Sequence, residues 1–164
     1  MFRQLAKRVR DRIGLISQLN GRPRPVDPML ALAKNYGELL RLAQQIESHA
    51  EKAPYPHVAE KLWRIAREKR ELAGTMKEKL AARERNAGEP ASPVKSGKNH
   101  WERMVQDLED QKALEEGLIQ LADAVAEHDP QLSRMLRDIV VAQNPHKEDF
   151  LDLIARADPQ AHQY

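Results

Sequence analysis

The stretch over residues 132–154 carries an apolar stripe interrupted by polar residues, and it constrains the fold more than any other feature. Its apolar members lie on steps of three and four residues: Leu132, Leu136, Ile139, Phe150 and Leu153. Such spacing is typical of the buried face of an α-helix. The same steps, continued through the gap, fall on Gln143 and His146. Two polar side chains therefore occupy positions where a core-facing helix is normally apolar.

Three further apolar stripes predict three further long helices. The first begins at Asp27 and Pro28, because Asp is a favourable N-cap and Pro is tolerated in the first helical turn. Pro54 and Pro56 end this helix and force a tight reversal. They also start the second helix, which we expect to run to about Asn86.

The second half of the chain repeats this arrangement. The third helix is predicted over about residues 99–127, and Asp129 and Pro130 open the fourth. Pro145 lies inside the fourth helix and should bend it locally, since proline has no backbone N–H. A stretch rich in Pro, Gly and Ser at about residues 87–98 is the predicted crossover between the two pairs of helices.

These elements predict an all-α domain over residues 27–158. Helices joined by short turns pack as antiparallel neighbours, and one long crossover lets two helical hairpins form an antiparallel four-helix bundle. A basic amphipathic helix and a linker, residues 1–26, precede the predicted bundle, and a short tail, residues 159–164, follows it.

The composition favours helices and excludes several kinds of site. Of the 164 residues, 32% are charged and only 4% are aromatic, which suits one helical domain. The chain has no cysteine, so disulfides, thiolate nucleophiles and thiolate metal sites are excluded. No apolar run approaches the roughly 18 residues that a membrane span needs, and no signal-peptide segment is recognisable. We therefore expect a cytoplasmic protein.

The charge is unevenly distributed along the chain. Residues 1–25 hold seven bases and one acid, a net +6, so the remainder must carry −4 to give the overall +2. A mildly acidic body makes nucleic acid an unexpected partner. The apolar side of the basic segment consists of Phe2, Leu5, Val9, Ile13 and Ile16. A helix over residues 1–20 can pack on the bundle or on a neighbouring subunit, lie weakly on a membrane surface, or serve as a targeting peptide.

All four long helices carry a residue that is not aliphatic near the middle of the apolar stripe. These residues are Tyr36, Lys69, Gln111, and Gln143 with His146. Tyr36 and Lys69 are 33 residues apart, and Gln111 and Gln143 are 32 apart. Because the two intervals nearly match, an antiparallel bundle would bring the exceptions together at mid-height.

A bundle of two hairpins with polar residues at mid-core resembles the ferritin-like superfamily, which includes ferritins, bacterioferritins and rubrerythrins. The likeness covers about residues 28–156 and rests on helix lengths, hairpin intervals and the local texture of residues 107–112 and 146–154. In that superfamily the first and third helices each supply a Glu, and the second and fourth each supply a Glu-x-x-His. Together these side chains bind two metal ions.

Carried over position by position, the resemblance implies a degenerate di-iron site. The two single Glu positions fall on Tyr36 and Gln111, and the two Glu-x-x-His positions fall on residues 69–72 and on Gln143 to His146. Only His146 matches a metal ligand, and amides and an ammonium cannot neutralise two divalent cations. The resemblance therefore implies a protein without a cofactor or enzymatic activity. Such a protein would act by self-association, for example as a homodimer, or through another protein partner.

A rearranged metal site is the alternative. A shift of two residues along the first hairpin selects Glu38 and Glu71, and Glu115 lies one turn from Gln111. With His146, these carboxylates would hold iron or manganese, as in an oxidoreductase or an iron-handling protein. Burying Glu38 and Glu71 would expose Leu or Ala in exchange, which counts against this alternative.

A structural interpretation applies to the same mid-core residues. They can form a hydrogen-bonded cluster in which amide oxygens and Glu115 accept hydrogen bonds from Lys69. Such a cluster can fix helix register while adding little stability. Trp63 is less clearly inward-facing than Trp101, which makes it a candidate subunit contact. The remaining histidines lie near helix ends or turns, where we expect them at the surface: His49, His57, His100, His128 and His162.

Overall fold

The computed structural model describes residues 27–88 and 92–160. The predictions for residues 1–26, and for the end of the tail at residues 161–164, lie outside the described residues. Within the described ranges all regular structure is helical, and the four predicted helices pack together, the last of them divided into two. No helix in these ranges has the length and apolar character needed to cross a membrane.

Helices α1 (Pro28–Glu51) and α2 (Pro56–Ala82) pack against each other along the first half of the chain. The predicted N-cap is confirmed, because Asp27 Oδ1 accepts a hydrogen bond from Met29 N at 3.0 Å. The predicted stripes of both helices are buried, from Leu32 to Ala50 on α1 and from Val58 to Leu80 on α2.

Helix α2 ends at Ala82, earlier than the predicted end at Asn86. The chain turns at Glu84, whose φ of 55° lies in the left-handed region. Arg85 N donates to Leu80 O at 3.0 Å, and Glu84 N donates to Ala81 O at 3.0 Å, which closes the helix with a Schellman motif. A Glu thus adopts the left-handed position at this helix end, where Gly or Asn is more usual.

Helix α3 (His100–Val125) packs against α1 and against two shorter helices, α4 (Pro130–Ala142) and α5 (Asn144–Arg156). One bent helix was predicted over the last two. Instead the helix stops and restarts around Gln143, because Pro145 has no N–H to donate to the carbonyl of Val141. The carbonyl of Gln143 accepts from the N–H groups of His146 at 3.1 Å and Lys147 at 3.3 Å, which starts α5.

The two tryptophans differ in exposure. Trp101, at the start of α3, is half-buried, whereas Trp63 on α2 is 44% exposed. The core itself is built from aliphatic side chains of all five helices, with Phe150 as its largest apolar member. Two groups of polar side chains that enter this core share helix α3.

Candidate functional site

Lys69 lies at the centre of the bundle. It continues the apolar stripe of α2 between Ile65 and Ala73, so the helix points it into the core, and it is fully buried. Its Nζ donates to Gln111 Oε1 at 2.8 Å on α3 and to Gln143 Oε1 at 2.7 Å at the break between α4 and α5. One amine thus joins three parts of the bundle. We call Lys69, Gln111 and Gln143 the central lysine cluster.

The amide groups of this cluster are tied to each other and to a carboxylate. Gln111 Nε2 donates to the backbone carbonyl of Gln143 at 2.9 Å and to Glu115 Oε1 at 3.3 Å. Glu115 Oε2 accepts in turn from Lys147 Nζ at 2.8 Å, near the surface. The break at Gln143 therefore does more than interrupt a helix, because it turns a main-chain oxygen towards Gln111.

The environment of Lys69 disfavours its charge. Burial lowers the pKa of Lys69 to about 7, although the negative charges of Glu115, Asp107 and Glu68 oppose this effect. The hydrogen bonds agree with a neutral amine, which has two N–H groups, whereas an ammonium has three. Two amide oxygens lie within hydrogen-bonding distance of Nζ, and each accepts one of those hydrogens.

His146, one turn after Gln143, bonds outside the central lysine cluster. Its Nε2 lies 2.6 Å from Glu68 Oε2, and Glu68 also accepts from Arg64 at 3.4 Å. Burial and the nearby Lys69 lower the pKa of His146. Burial alone would raise the pKa of Glu68, but the hydrogen bond from His146 and the charges of His146 and Arg64 leave it below its ordinary value. Because an ionised carboxylate can only accept, His146 Nε2 carries a hydrogen and donates it to Glu68.

Tyr36 is buried, but it makes none of the hydrogen bonds of the central lysine cluster. Asn35, the residue before Tyr36, packs closely against Gly117 of α3, because a Cβ added to Gly117 would lie only 2.7 Å from Asn35 Oδ1. Tyr36 therefore lies near the level of Gly117 along the bundle. Arg41 contacts Asp110 at 3.4 Å, which puts Arg41 nearer the level of Gln111. Five residues of helix separate Tyr36 from Arg41, about 7 Å along the axis.

A second group of buried polar residues lies between α1, α3 and the crossover. His49 Nδ1 is 2.8 Å from Asp107 Oδ2, and both side chains are completely buried. The expectation of a surface position for His49 was therefore wrong, because α3 and the crossover cover this end of α1. His100 is also buried, against the same expectation, and burial lowers its pKa to about 4.

Gln45 connects the other members of this second group. Its Nε2 donates to Asp107 Oδ1 at 2.9 Å and to Asp110 Oδ2 at 3.0 Å, and its Oε1 accepts from Arg41 Nη1 at 3.0 Å. Burial raises the pKa of Asp107 against the opposing hydrogen bonds from His49 and Gln45.

Lys95 of the crossover is held at three atoms. Its N–H donates to Gln45 Oε1 at 3.0 Å, its carbonyl lies 3.0 Å from His49 Nε2, and its Nζ lies 2.5 Å from Asp110 Oδ1. Because a carbonyl can only accept, His49 Nε2 carries a hydrogen. We call this group the crossover cluster, and its members are Arg41, Gln45, His49, Lys95, Asp107 and Asp110.

The carboxylates of the proposed rearranged site each have another partner or lie at the surface. Glu71 is exposed on α2, and Glu38 accepts from Arg41 at 3.0 Å. Glu115 pairs with Lys147 and His146 pairs with Glu68. Within residues 27–88 and 92–160, no group of three or more His, Asp or Glu could hold a metal ion. The side chains of the central lysine cluster are also unsuited to binding two divalent ions, because an amine and two amide oxygens supply no negative charge.

The geometry also limits what Lys69 can do as a reactive amine. Two cavities among the described residues have volumes of about 520 Å³ and 1070 Å³, and neither is lined by a member of the central lysine cluster. A substrate would have to open the core to reach Nζ. The arrangement therefore acts on helix packing and register, and on the protonation of one buried amine.

Comparison with known proteins adds no family to these observations. No protein-family model matches the chain, and no curated protein gives a significant match to it.

Proposed function

We propose that this chain is a non-catalytic helical-bundle protein of ferritin-like architecture, in which a lysine occupies the place of a di-metal centre. We further propose that it acts through association, either as a homodimer or with another protein. The observation that carries the proposal is the position of Lys69 Nζ, 2.8 Å from Gln111 Oε1 and 2.7 Å from Gln143 Oε1. These are three of the positions that the resemblance assigns to metal ligands.

Pairings between helices support the antiparallel, ferritin-like arrangement. On α1 and α3, Arg41 contacts Asp110 and His49 contacts Asp107, so residue numbers rise on one helix as they fall on the other. The same relation holds between α2 and the last two helices, because Lys69 contacts Gln143 whereas Arg64 contacts Asp149 on α5. Each pair of neighbours then runs in opposite directions, as in the superfamily's bundle.

The charge at the centre supports the loss of metal chemistry. A ferritin-like site needs several carboxylates to neutralise two divalent cations, and the three positions here offer an amine and two neutral amides. The nearby carboxylates of Glu68 and Glu115 are engaged by His146 and Lys147.

Metal analysis tests the non-catalytic part of the proposal. Protein purified without chelators from cells supplied with iron and manganese should contain far less than one metal ion per chain. Adding Fe²⁺ or Mn²⁺ should leave the midpoint of thermal unfolding unchanged. Stoichiometric metal, or a rise in the midpoint on adding it, would overturn this part and favour an iron-handling protein or oxidoreductase.

A variant with restored carboxylates provides the positive control. Combining Lys69→Glu, Gln111→Glu and Gln143→Glu places three carboxylates around one point next to His146. If these positions correspond to the superfamily's ligands, the variant should gain Mn²⁺-dependent thermal stability that Lys69→Met lacks. A folded triple variant that ignores metal would contradict the proposed correspondence.

Trp63 supports association and offers a direct test of it. A Trp that is 44% exposed on a helix is a frequent anchor of protein interfaces. We expect light scattering to give the full-length chain the mass of a homodimer and Trp63→Asp the mass of a monomer. Leu151→Asp, at another exposed apolar position on α5, is the matched control and should remain a dimer. A full-length chain that is monomeric at all concentrations and retains no partner would count against association.

A further inference from the structure

A groove of about 1070 Å³ runs along the bundle between α1 and α3. Its lining residues on α3 recur at steps of three and four, so the groove follows one face of that helix: Ala113, Gly117, Leu121 and Ala124. On α1 it is lined from Leu30, which is 69% exposed, to Arg41. Lys95 and its neighbours in the crossover close one end.

The length of the groove matches a short helical segment. The eleven helical steps from Ala113 to Ala124 correspond to a length of about 17 Å. Small side chains along this face let a second helix approach closely and lay its apolar side into the groove.

One segment of this chain has the length and the connection to fill the groove. The described chain starts at Asp27, three residues before Leu30 at the open end of the groove. The predicted apolar stripe of residues 1–20 extends from Phe2 to Ile16, which spans about 21 Å as a helix. Residues 20–26 supply a connection of a length common between packed helices, about two to eight residues.

We propose that residues 1–20 pack as an additional helix in the groove between α1 and α3. The segment runs antiparallel to α1, so Ile13 lies near Ala124 and Leu5 lies near Ala113. Its apolar side covers Leu30 and the small residues of α3. This inference goes beyond the proposed function, because it concerns the chain's own segment and holds whether or not the protein dimerises or binds metal.

Disulfide trapping in the full-length chain tests the proposal directly, because the chain has no cysteine of its own. Two pairs are used, Ile13→Cys with Ala124→Cys and Leu5→Cys with Ala113→Cys. Both groove positions are exposed, so a cysteine there does not disturb the core. Under mild oxidation of dilute protein we expect both pairs to form intramolecular disulfides, measured by non-reducing electrophoresis and peptide mass spectrometry.

A matched control distinguishes docking from random collisions of a tethered segment. Ile13→Cys is combined with Glu78→Cys, an exposed position on α2. Glu78 lies between Arg70 and Arg85, which pair with Glu47 and Asp27 on α1, so its level along the bundle is close to that of the groove. The groove pairs should cross-link several-fold faster than this control.

Three outcomes would overturn the proposal. Equal rates for the groove and control pairs would mean that the segment does not dock there. Disulfides that form only between chains, seen on mixing single-cysteine variants, would assign the groove to a second copy's segment. Slow groove cross-linking, together with sedimentation of the chain on anionic vesicles that is lost when residues 1–20 are deleted, would assign the segment to a membrane surface. Each outcome is independent of metal content and of the Trp63 test.

Discussion

The central lysine cluster and the crossover cluster meet on α3, where Gln111 and Asp107 are one turn apart, yet they satisfy buried polar groups in different ways. In the crossover cluster the acceptors are carboxylates, as in Asp107 with His49 and Asp110 with Arg41. In the central lysine cluster the only ionisable side chain is Lys69, and its hydrogen-bond acceptors are neutral amides. A buried charge is tolerated where it is paired, whereas an amine among amides lowers its cost by losing its proton.

Helix α3 presents polar side chains to the interior at every fourth position, Arg103, Asp107, Gln111 and Glu115, all of them buried. Other helices supply what each position needs: Gln45 and His49 for Asp107, Lys69 for Gln111, and Lys147 for Glu115. The two clusters therefore follow one another along a single row of polar residues on α3. Lys69, which bonds to Gln111 in this row, has no directly bonded counter-charge.

Removing Asp107 should have the largest effect, since it breaks the pairing that distinguishes the crossover cluster. Asp107→Ala leaves His49 Nδ1 and Gln45 Nε2 facing a small cavity without their acceptor. Leaving a buried donor without its acceptor costs about 1–3 kcal/mol, so the loss of both bonds should cost about 2–6 kcal/mol. Urea unfolding followed by circular dichroism measures it. Glu109→Ala, exposed on the same helix, is the control and should change stability by less than about 0.5 kcal/mol.

Asp107→Asn separates the charge of this residue from its shape. The amide can still accept one hydrogen bond, so the loss should be smaller than for alanine but clearly measurable. A stability equal to that of the parent protein for both variants would show that His49 and Asp107 are not a stabilising pair, and the contrast between the clusters would collapse.

Replacing Lys69 should have a smaller effect, because no direct ion pair is broken. At pH 9, Lys69→Leu leaves two buried amide oxygens without a donor, which we expect to cost about 1–3 kcal/mol. The further substitutions Gln111→Leu and Gln143→Leu should recover much of this loss, since replacing all partners by apolar groups can be nearly neutral. Gln143 Nε2 is buried without a hydrogen-bond partner, so removing it also helps. A triple variant that is far less stable than Lys69→Leu would show that the amides are needed for other contacts.

The pH dependence of stability should differ between the protein and its Lys69→Leu variant. The pKa of Lys69 is about 7 in the folded chain and about 10.5 when unfolded. Between these values the unfolded chain binds more protons, so the contribution of Lys69 to stability rises with pH, by at most about 1.4 kcal/mol per pH unit. Below pH 7 this slope disappears. We expect urea unfolding at pH 6, 7, 8 and 9 to show that the free energy of unfolding of the protein rises relative to that of the variant only above pH 7. A difference that stays constant over this range would contradict a neutral amine.

The sequence predicted the central lysine cluster far better than the crossover cluster, for a physical reason. Lys69, Gln111 and Gln143 interrupt otherwise apolar stripes, so burial followed from helical periodicity alone. Arg41, Gln45 and His49 lie beside the stripe of α1 at four-residue steps, a pattern equally typical of a solvated face. Their burial depends on α3 and on a crossover whose composition indicates only a linker.

One signal for the missed cluster was nevertheless present on α3. Four-residue steps backwards from Glu115 and Gln111 reach Asp107 and then Arg103, so the polar row could be traced from residues already chosen as candidates. The partners of this row on α1 could not be predicted from the sequence, because they depend on which levels of the two helices lie side by side. The same limit explains the wrong placement of Tyr36. Its 33-residue interval to Lys69 predicted that the two side chains lie at one level of the bundle, whereas the contact of Arg41 with Asp110 puts Arg41 nearer that level.

The smallest expected effect concerns Lys95, whose main chain and side chain both join the crossover cluster. Lys95→Met removes the contact between Nζ and Asp110, but Asp110 keeps its bonds to Gln45 and Arg41. The backbone N–H and carbonyl of residue 95 also keep their hydrogen bonds to Gln45 and His49. Because the Lys95 side chain is 52% exposed to solvent, we expect a loss below about 1 kcal/mol. The amide of residue 95 should stay protected from hydrogen exchange in Lys95→Met but exchange faster in Gln45→Leu. If Lys95→Met alone made this amide exchange faster, the ion pair between Lys95 and Asp110 at the surface would hold the crossover in place. The buried groups of α1 would then contribute little to the crossover cluster.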